Sequence, residues 1–119
     1  MIIKAKNVQR RIMPEEQQGT GHVIGDFLVE AEDCPRHCRM FSIITLEKGC
    51  SIGKHFHVAE TELYYCLSGE GIICDQGDTQ SFVPGDVDCC GSGSYHTIKN
   101  EKEEPLVFLV SILLHHAKK

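Results

Sequence analysis

The chain has 119 residues, 41% of them hydrophobic and 24% charged, with a formal net charge of -5. That length holds one domain, 1–119, burying roughly two-thirds of its unfolded surface and leaving no room for a second module. The acidic balance argues against a nucleic-acid partner, which demands a basic face. The longest apolar run, Leu106 to Val110 resuming at Ile112 to Leu114, is far short of the roughly 20 residues of a membrane-spanning helix.

The N-terminus, Met1-Ile2-Ile3-Lys4-Ala5-Lys6, opens with a short β-prone segment, lacks the long apolar core of a signal peptide, and leads into a charged stretch ending in Met13-Pro14-Glu15-Glu16. Gln18-Gly19-Thr20-Gly21 has the glycine density of a loop, and His22 to Val29 reads as one or two short strands with His22 at the surface or an edge. Glu30-Ala31-Glu32-Asp33 is an acidic connector. The cluster Cys34-Pro35-Arg36-His37-Cys38 offers two thiols and an imidazole to a soft metal, although a polar loop explains it as simply. The cysteine total of seven is odd and no export signal precedes them, which favours a cytoplasmic protein whose thiols, Cys66 and Cys74 especially, serve as small apolar packing residues.

Arg39 to Leu46, with Met40, Phe41, Ile43, Ile44 and Leu46, is the first well-marked strand. Gly49-Cys50-Ser51-Ile52-Gly53-Lys54-His55-Phe56-His57 follows. Successive side chains of a strand point to opposite faces, so His55 and His57 project to one side and can hold an ion between them, while Lys54 points away. Glu62 begins an alternating run to Leu67, its face shared with Tyr64 and Cys66; Glu60 is expected to be a solvated turn residue. Ile72-Ile73-Cys74 should pair with Gln80-Ser81-Phe82-Val83 across the turn Asp75-Gln76-Gly77-Asp78. Val87 to Cys90 is a short strand that turns Cys89 and Cys90 to opposite faces. Gly91-Ser92-Gly93-Ser94 is a turn before Tyr95-His96-Thr97-Ile98-Lys99-Asn100, with Tyr95 directed away from His96. Glu101 to Pro105 is a loop, Leu106 to Leu114 a last long strand, and His115 and His116 belong to an exposed polar tail.

Many short strands at close spacing, without helical periodicity, predict an all-β sandwich or barrel. Leu106 to Val110 is apolar on both faces, so the N-terminal segment or a second subunit must cover the outer one; a homodimer is expected.

Gly49, His55-x-His57, Glu62 and Gly69, followed by Gly85-Asp86, Gly91-x-Gly93, His96 and Asn100, resemble the two cupin motifs, with Gly91 standing where that family usually has proline. The chain is similar to the single-domain conserved-barrel cupins over roughly residues 40–114, with 1–39 as an N-terminal extension. The resemblance implies a double-stranded β-helix, or jelly roll, in which His55, His57, Glu62 and His96 converge on one divalent transition metal. Three imidazoles and a carboxylate suit manganese, iron, nickel, cobalt or zinc and leave positions open on the ion. The function implied is that of a metal-dependent enzyme, an oxidoreductase, lyase or isomerase, acting on a small carboxylate, diketone or sugar derivative. The alternative is a module that binds or senses a small molecule without turning it over. Tyr64, sharing the face of Glu62, is the candidate catalytic residue as a proton or hydrogen-bond donor.

Overall fold

The computed structural model describes residues 1–13 and 19–119. Its strands are β1 (Gln9–Ile12), β2 (Ile24–Val29), β3 (Cys38–Leu46), β4 (Ser51–Phe56), β5 (Glu60–Ser68), β6 (Gly71–Asp75), β7 (Asp78–Phe82), β8 (Val87–Cys90), β9 (Tyr95–Lys99) and β10 (Leu106–Leu114). Every recorded pair is antiparallel. A six-stranded sheet, in the order β1-β2-β3-β10-β5-β8, and a four-stranded sheet, β4-β9-β6-β7, form the all-β barrel that the strand spacing predicts, in the jelly-roll arrangement that the cupin resemblance implies.

Alternation along the strands decides what lies between the sheets. In β5, Glu62, Tyr64 and Cys66 are buried while Tyr65 and Leu67 face out. β10 turns Leu106, Phe108, Val110 and Ile112 inward, where they meet Ile44 and Leu46 of β3 and Ile98 of β9. This apolar cluster fills one part of the interior; the polar centre described below takes another. The β6–β7 hairpin closes on Gln76 and Gly77, both at positive φ (51° and 85°), the backbone of a two-residue turn matching the strand twist. Gly69 is also fixed by geometry, since at φ +83° any Cβ would lie 2.3 Å from the Pro105 carbonyl oxygen. Buried Asn100 donates from Nδ2 to the carbonyls of Leu46 and Glu104 and accepts from the Lys102 amide, so the loop before β10 is tied to the end of β3.

The N-terminus differs from the sequence expectation. Met1 and Ile2 are exposed and form no strand, whereas β1 lies at Gln9–Ile12, inside the stretch read only as charged. All four residues of β1 are exposed, so its apolar pattern could not reveal it. It is held at the sheet edge by its ladder to β2 and by Arg10–Asp26 at 2.8 Å, Arg11–Glu30 at 2.7 Å, and the Arg11 guanidinium 3.9 Å from the Phe27 ring centre. Residues 14–18, which carry the end of the charged stretch and the start of the glycine loop, lie outside the described residues. The rest of that loop joins β4 through Ser51 N–H to the Thr20 carbonyl and Thr20 N–H to Ser51 Oγ, both 2.8 Å.

The cysteine cluster also differs from a polar loop. Cys34 and Cys38 are buried and, with Val29, Phe41 and Leu113, line an apolar cleft. Cys38 Sγ lies 3.4 Å from the Met40 carbonyl, and His37 Nδ1 is 3.2 Å from the Leu114 carbonyl. Cys34, His37 and Cys38 are not among the groups whose ligand atoms come together in the described residues. Cys89 and Cys90 do face opposite ways, exposed and fully buried respectively.

Candidate metal centre

β4 and β9 present the histidines. Ile52 pairs with Ile98 and His55 with His96, three residues against two, so β4 carries a bulge at Gly53-Lys54. The extra residue lets Ile52 and His55 both line the interior despite their odd spacing, and leaves Lys54 outside, 4.1 Å from the Tyr95 ring centre. His57 lies just beyond β4, pinned by its N–H to the Ser94 carbonyl (3.2 Å) and its carbonyl to the Gly93 N–H (2.7 Å). Glu62 projects from β5 on the opposing sheet.

The four predicted residues meet. Glu62 Oε1 lies 3.2 Å from His55 Nε2, 2.9 Å from His57 Nε2 and 2.9 Å from His96 Nε2. His96 Nε2 is itself 2.9 Å from His55 Nε2 and 3.2 Å from His57 Nε2. The far ring nitrogens are all engaged: Nδ1 of His55 with the Gly53 carbonyl (2.9 Å), of His57 with Glu60 Oε1 (3.0 Å), of His96 with Asp88 Oδ2 (2.7 Å). A carbonyl and two carboxylates can only accept, so each Nδ1 carries the hydrogen and each Nε2 turns a lone pair inward. Three imidazole lone pairs and a carboxylate oxygen at these separations repel unless a cation or proton lies between them. Ligands bound at about 2.1 Å and at right angles on one ion sit about 3.0 Å apart. The donor set, its tautomers and its spacing therefore fit a divalent transition metal, and the four residues form a cluster able to hold one.

Protons stand in where no cation is bound. Burial opposes charge on His96, but its hydrogen bonds to Asp88 and Glu62 outweigh that and push its pKa up to about 9. His57 is raised too, burial being overcome by Glu62 and Glu60. Burial would raise Glu62, yet hydrogen bonds from His55, His57 and His96 hold it well below the usual carboxylate range. His96, raised from 6.5, stabilises the metal-free fold fully below that pH and loses the contribution as pH rises through about 9. Glu62, lowered from 4.5, contributes above that pH and loses its effect as pH falls toward its folded value. Metal-free protein should thus be most stable near pH 5–6 and lose on the order of 2 kcal/mol by pH 9. Metal affinity should rise over the same range, because protons then compete less for Nε2. Chemical denaturation and chelator competition at pH 6 and 9 measure both.

Four further residues complete the centre. Glu60, expected to be solvated, is half-buried: it takes a bidentate pair from Arg39 (2.6 and 2.7 Å) and accepts the His57 Nδ1 hydrogen. A strand start facing a cation and a ligand histidine explains the difference. Asp88, not singled out in the sequence, orients His96; its inward side was legible because it alternates with buried Cys90 in β8. Behind it, Asp75, which pairs with His96 across β6 and β9, is pushed up to about 6 by burial and by Asp88. Tyr64 is fully buried, its ring stacked on His96 at 4.7 Å and 15° and tilted against Phe108 at 4.8 Å. Burial, then the negative charge of Glu62, lift the Tyr64 pKa well above 10.

A cavity of about 140 Å³ opens beside the cluster, lined by His55, His57, Glu62 and Tyr64 on one side and by residues of β3, β10 and the N-terminal segment on the other. A barrel of two antiparallel sheets holding three histidines and one glutamate at its interior defines the class. Residues 42–112 match the Cupin domain family, and the chain belongs to it. It is 32% identical over 114 residues, 96% of this chain and 94% of the other, to a protein of Thermotoga maritima named oxalate-binding protein. It is likewise similar to the crystal structure of a predicted oxalate decarboxylase from Thermotoga maritima (TM-score 0.88, 32% identity, 96% of this chain and 99% of that one). The polyketide cyclase RemF of Streptomyces resistomycificus shares the fold at 16% identity (TM-score 0.78, covering 100% and 82%). Among the described residues, no helix is long and apolar enough to cross a membrane.

Proposed function

We propose that the chain holds one divalent transition ion on His55, His57, Glu62 and His96 and captures on it a small acid that chelates through two oxygens. The observation that carries this reading is the convergence of the three Nε2 atoms on Glu62 Oε1, with every Nδ1 facing an acceptor of its own. When bound, such an ion supplies Lewis acidity and open positions for chelating oxygens. The protein side does the rest. Gly53, Glu60 and Asp88 fix the rings, and Arg39 places a positive charge among the cavity residues. About 140 Å³ is room for roughly five waters, which suits an acid of a few carbons. The names of the relatives from Thermotoga maritima point to oxalate, an acid of this size.

Retention of the ligand is the reading the lining favours over turnover. Tyr64 is fully buried with its ring stacked on His96, and Arg39 is paired with Glu60; on that ground Tyr64 is read as orienting a ligand residue rather than delivering a proton. The enzymatic alternative rests on the relative described as a predicted oxalate decarboxylase. Water-proton relaxation of manganese-loaded protein, titrated with oxalate and with pyruvate, tests the capture. A metal-dependent change on adding either acid supports it, and no change with either refutes it. Carbon dioxide released from the same mixtures would transfer the reading to a lyase.

Two further expectations belong here. Phe41, Tyr65, Leu67, Val87 and Leu113 remain between 36% and 63% exposed on the outer side of the larger sheet, a surface that suits a second copy of the chain. Light scattering during gel filtration should give twice the monomer mass at micromolar concentration. Seven free thiols fit a reducing compartment, and a cytoplasmic location is proposed on that ground.

A further inference from the structure

The cavity has two unlike halves. Its polar half is the metal centre with Arg39 and Tyr64; facing it are Ile44 and Met40 of β3, Val110 and Ile112 of β10, Ile52, and Met13 and Val23 of the N-terminal segment. These apolar side chains come from the core cluster or pack directly against it, so the wall is continuous with the hydrophobic interior. A ligand that chelates the ion with two oxygens must direct its remaining atoms toward that wall. In a doubly polar acid those atoms are charged oxygens, and setting them against aliphatic side chains forfeits their hydration without a matching partner. Arg39 is the cation among the lining residues, and its guanidinium is already bound bidentately to Glu60, which in turn fixes His57. Drawing Arg39 toward a ligand would loosen a metal-orienting contact. Carbon atoms at the same place would instead complete the apolar packing.

We infer that the favoured ligand is a short 2-oxo or 2-hydroxy monocarboxylate, chelating through its carboxylate and 2-oxygen and carrying an apolar end of one to three carbons against Met40, Val110 and Ile112. This rests on the metal-dependent capture proposed above and, within its class of small chelating acids, favours a monocarboxylate over the oxalate to which the relatives' names refer. The N-terminal segment gains a role from it, since Met13 and Val23, outside the two sequence motifs, help form the surface that reads the apolar end. The small cavity sets an upper bound on that end.

The series pyruvate, 2-oxobutyrate, 2-oxovalerate and phenylpyruvate tests the inference by titration calorimetry on manganese-loaded protein. The chelating head is the same throughout, so differences report the other end. Affinity should rise about four-fold from pyruvate to 2-oxobutyrate, as for one buried methylene, and fall once the chain outgrows the cavity, phenylpyruvate binding most weakly. Val23→Thr, nearly isosteric and at a half-buried position, should reduce the step between the first two acids to less than two-fold with manganese stoichiometry unchanged. Flat affinities across the series, or affinities that keep rising to phenylpyruvate, would overturn the apolar-end assignment while leaving metal capture standing. Failure to load manganese would overturn the metal reading and this inference with it.

Discussion

Replacing His96 with alanine is expected to remove stoichiometric metal binding and to destabilise the metal-free fold by about 3–5 kcal/mol, the cost of leaving one partner of a buried charge pair behind. His96 is fully buried and meets three neighbours at once: its Nδ1–H reaches Asp88 at 2.7 Å, its Nε2 lies 2.9 Å from Glu62, and its ring stacks on Tyr64. Alanine strands the Asp88 carboxylate, already beside a second carboxyl group at Asp75, and opens a void beside the Tyr64 ring. Since loss even of an outer hydrogen bond to a ligand histidine costs 10–100-fold in affinity, loss of the ligand itself should exceed about a hundred-fold. Chelator competition and denaturant unfolding of metal-free protein read the two effects separately. Retained tight binding in His96→Ala would remove this residue from the metal set.

Asp88→Asn should give a graded version of the same result. The asparagine oxygen can still accept the His96 Nδ1 hydrogen, so the ring stays oriented, but the negative charge that makes the imidazole a better donor is gone. Metal affinity should fall about 10–100-fold while stoichiometry at saturating metal and the overall fold are kept. The pH dependence separates this from simple structural damage. Without the Asp88 charge, the His96 pKa drops from about 9 toward its ordinary value, so metal affinity should level off at a lower pH than in the unaltered protein. Equal affinity and an unchanged pH profile in Asp88→Asn would mean that Asp88 contributes packing alone.

Much of the centre was legible because strand alternation gives His55 and His57 one face, and the resemblance to the two cupin motifs adds Glu62 and His96. Alternation alone would not have placed both Ile52 and His55 inside, since the β4 bulge that does so depends on pairing with β9. Glu60 was misread because Arg39 reaches it from β3 and the turn after β4 brings His57 back against it, neither of which an alternation pattern shows. Asp88 and Asp75 escaped notice for a related reason: an aspartate in a short strand or at a hairpin turn has ordinary solvated readings, and it becomes a second carboxylate behind a ligand only when β8 and β6 meet β5 and β9. β1 was hidden because charge pairing and edge hydrogen bonds hold it, and neither produces an apolar period. The buried thiols of Cys34 and Cys38 were hidden by their polar neighbours in sequence. What the sequence patterns capture is what repeats along a strand; what they miss is fixed by partners across the sheets.

Elemental analysis of protein purified without a metal-affinity tag, alongside the combined variant His55→Ala, His57→Ala, His96→Ala, tests the metal assignment most directly. Close to one first-row transition ion per chain in the unaltered protein, lost in the variant, is the predicted result. The same ion content in both proteins would show that His55, His57 and His96 do not hold the metal.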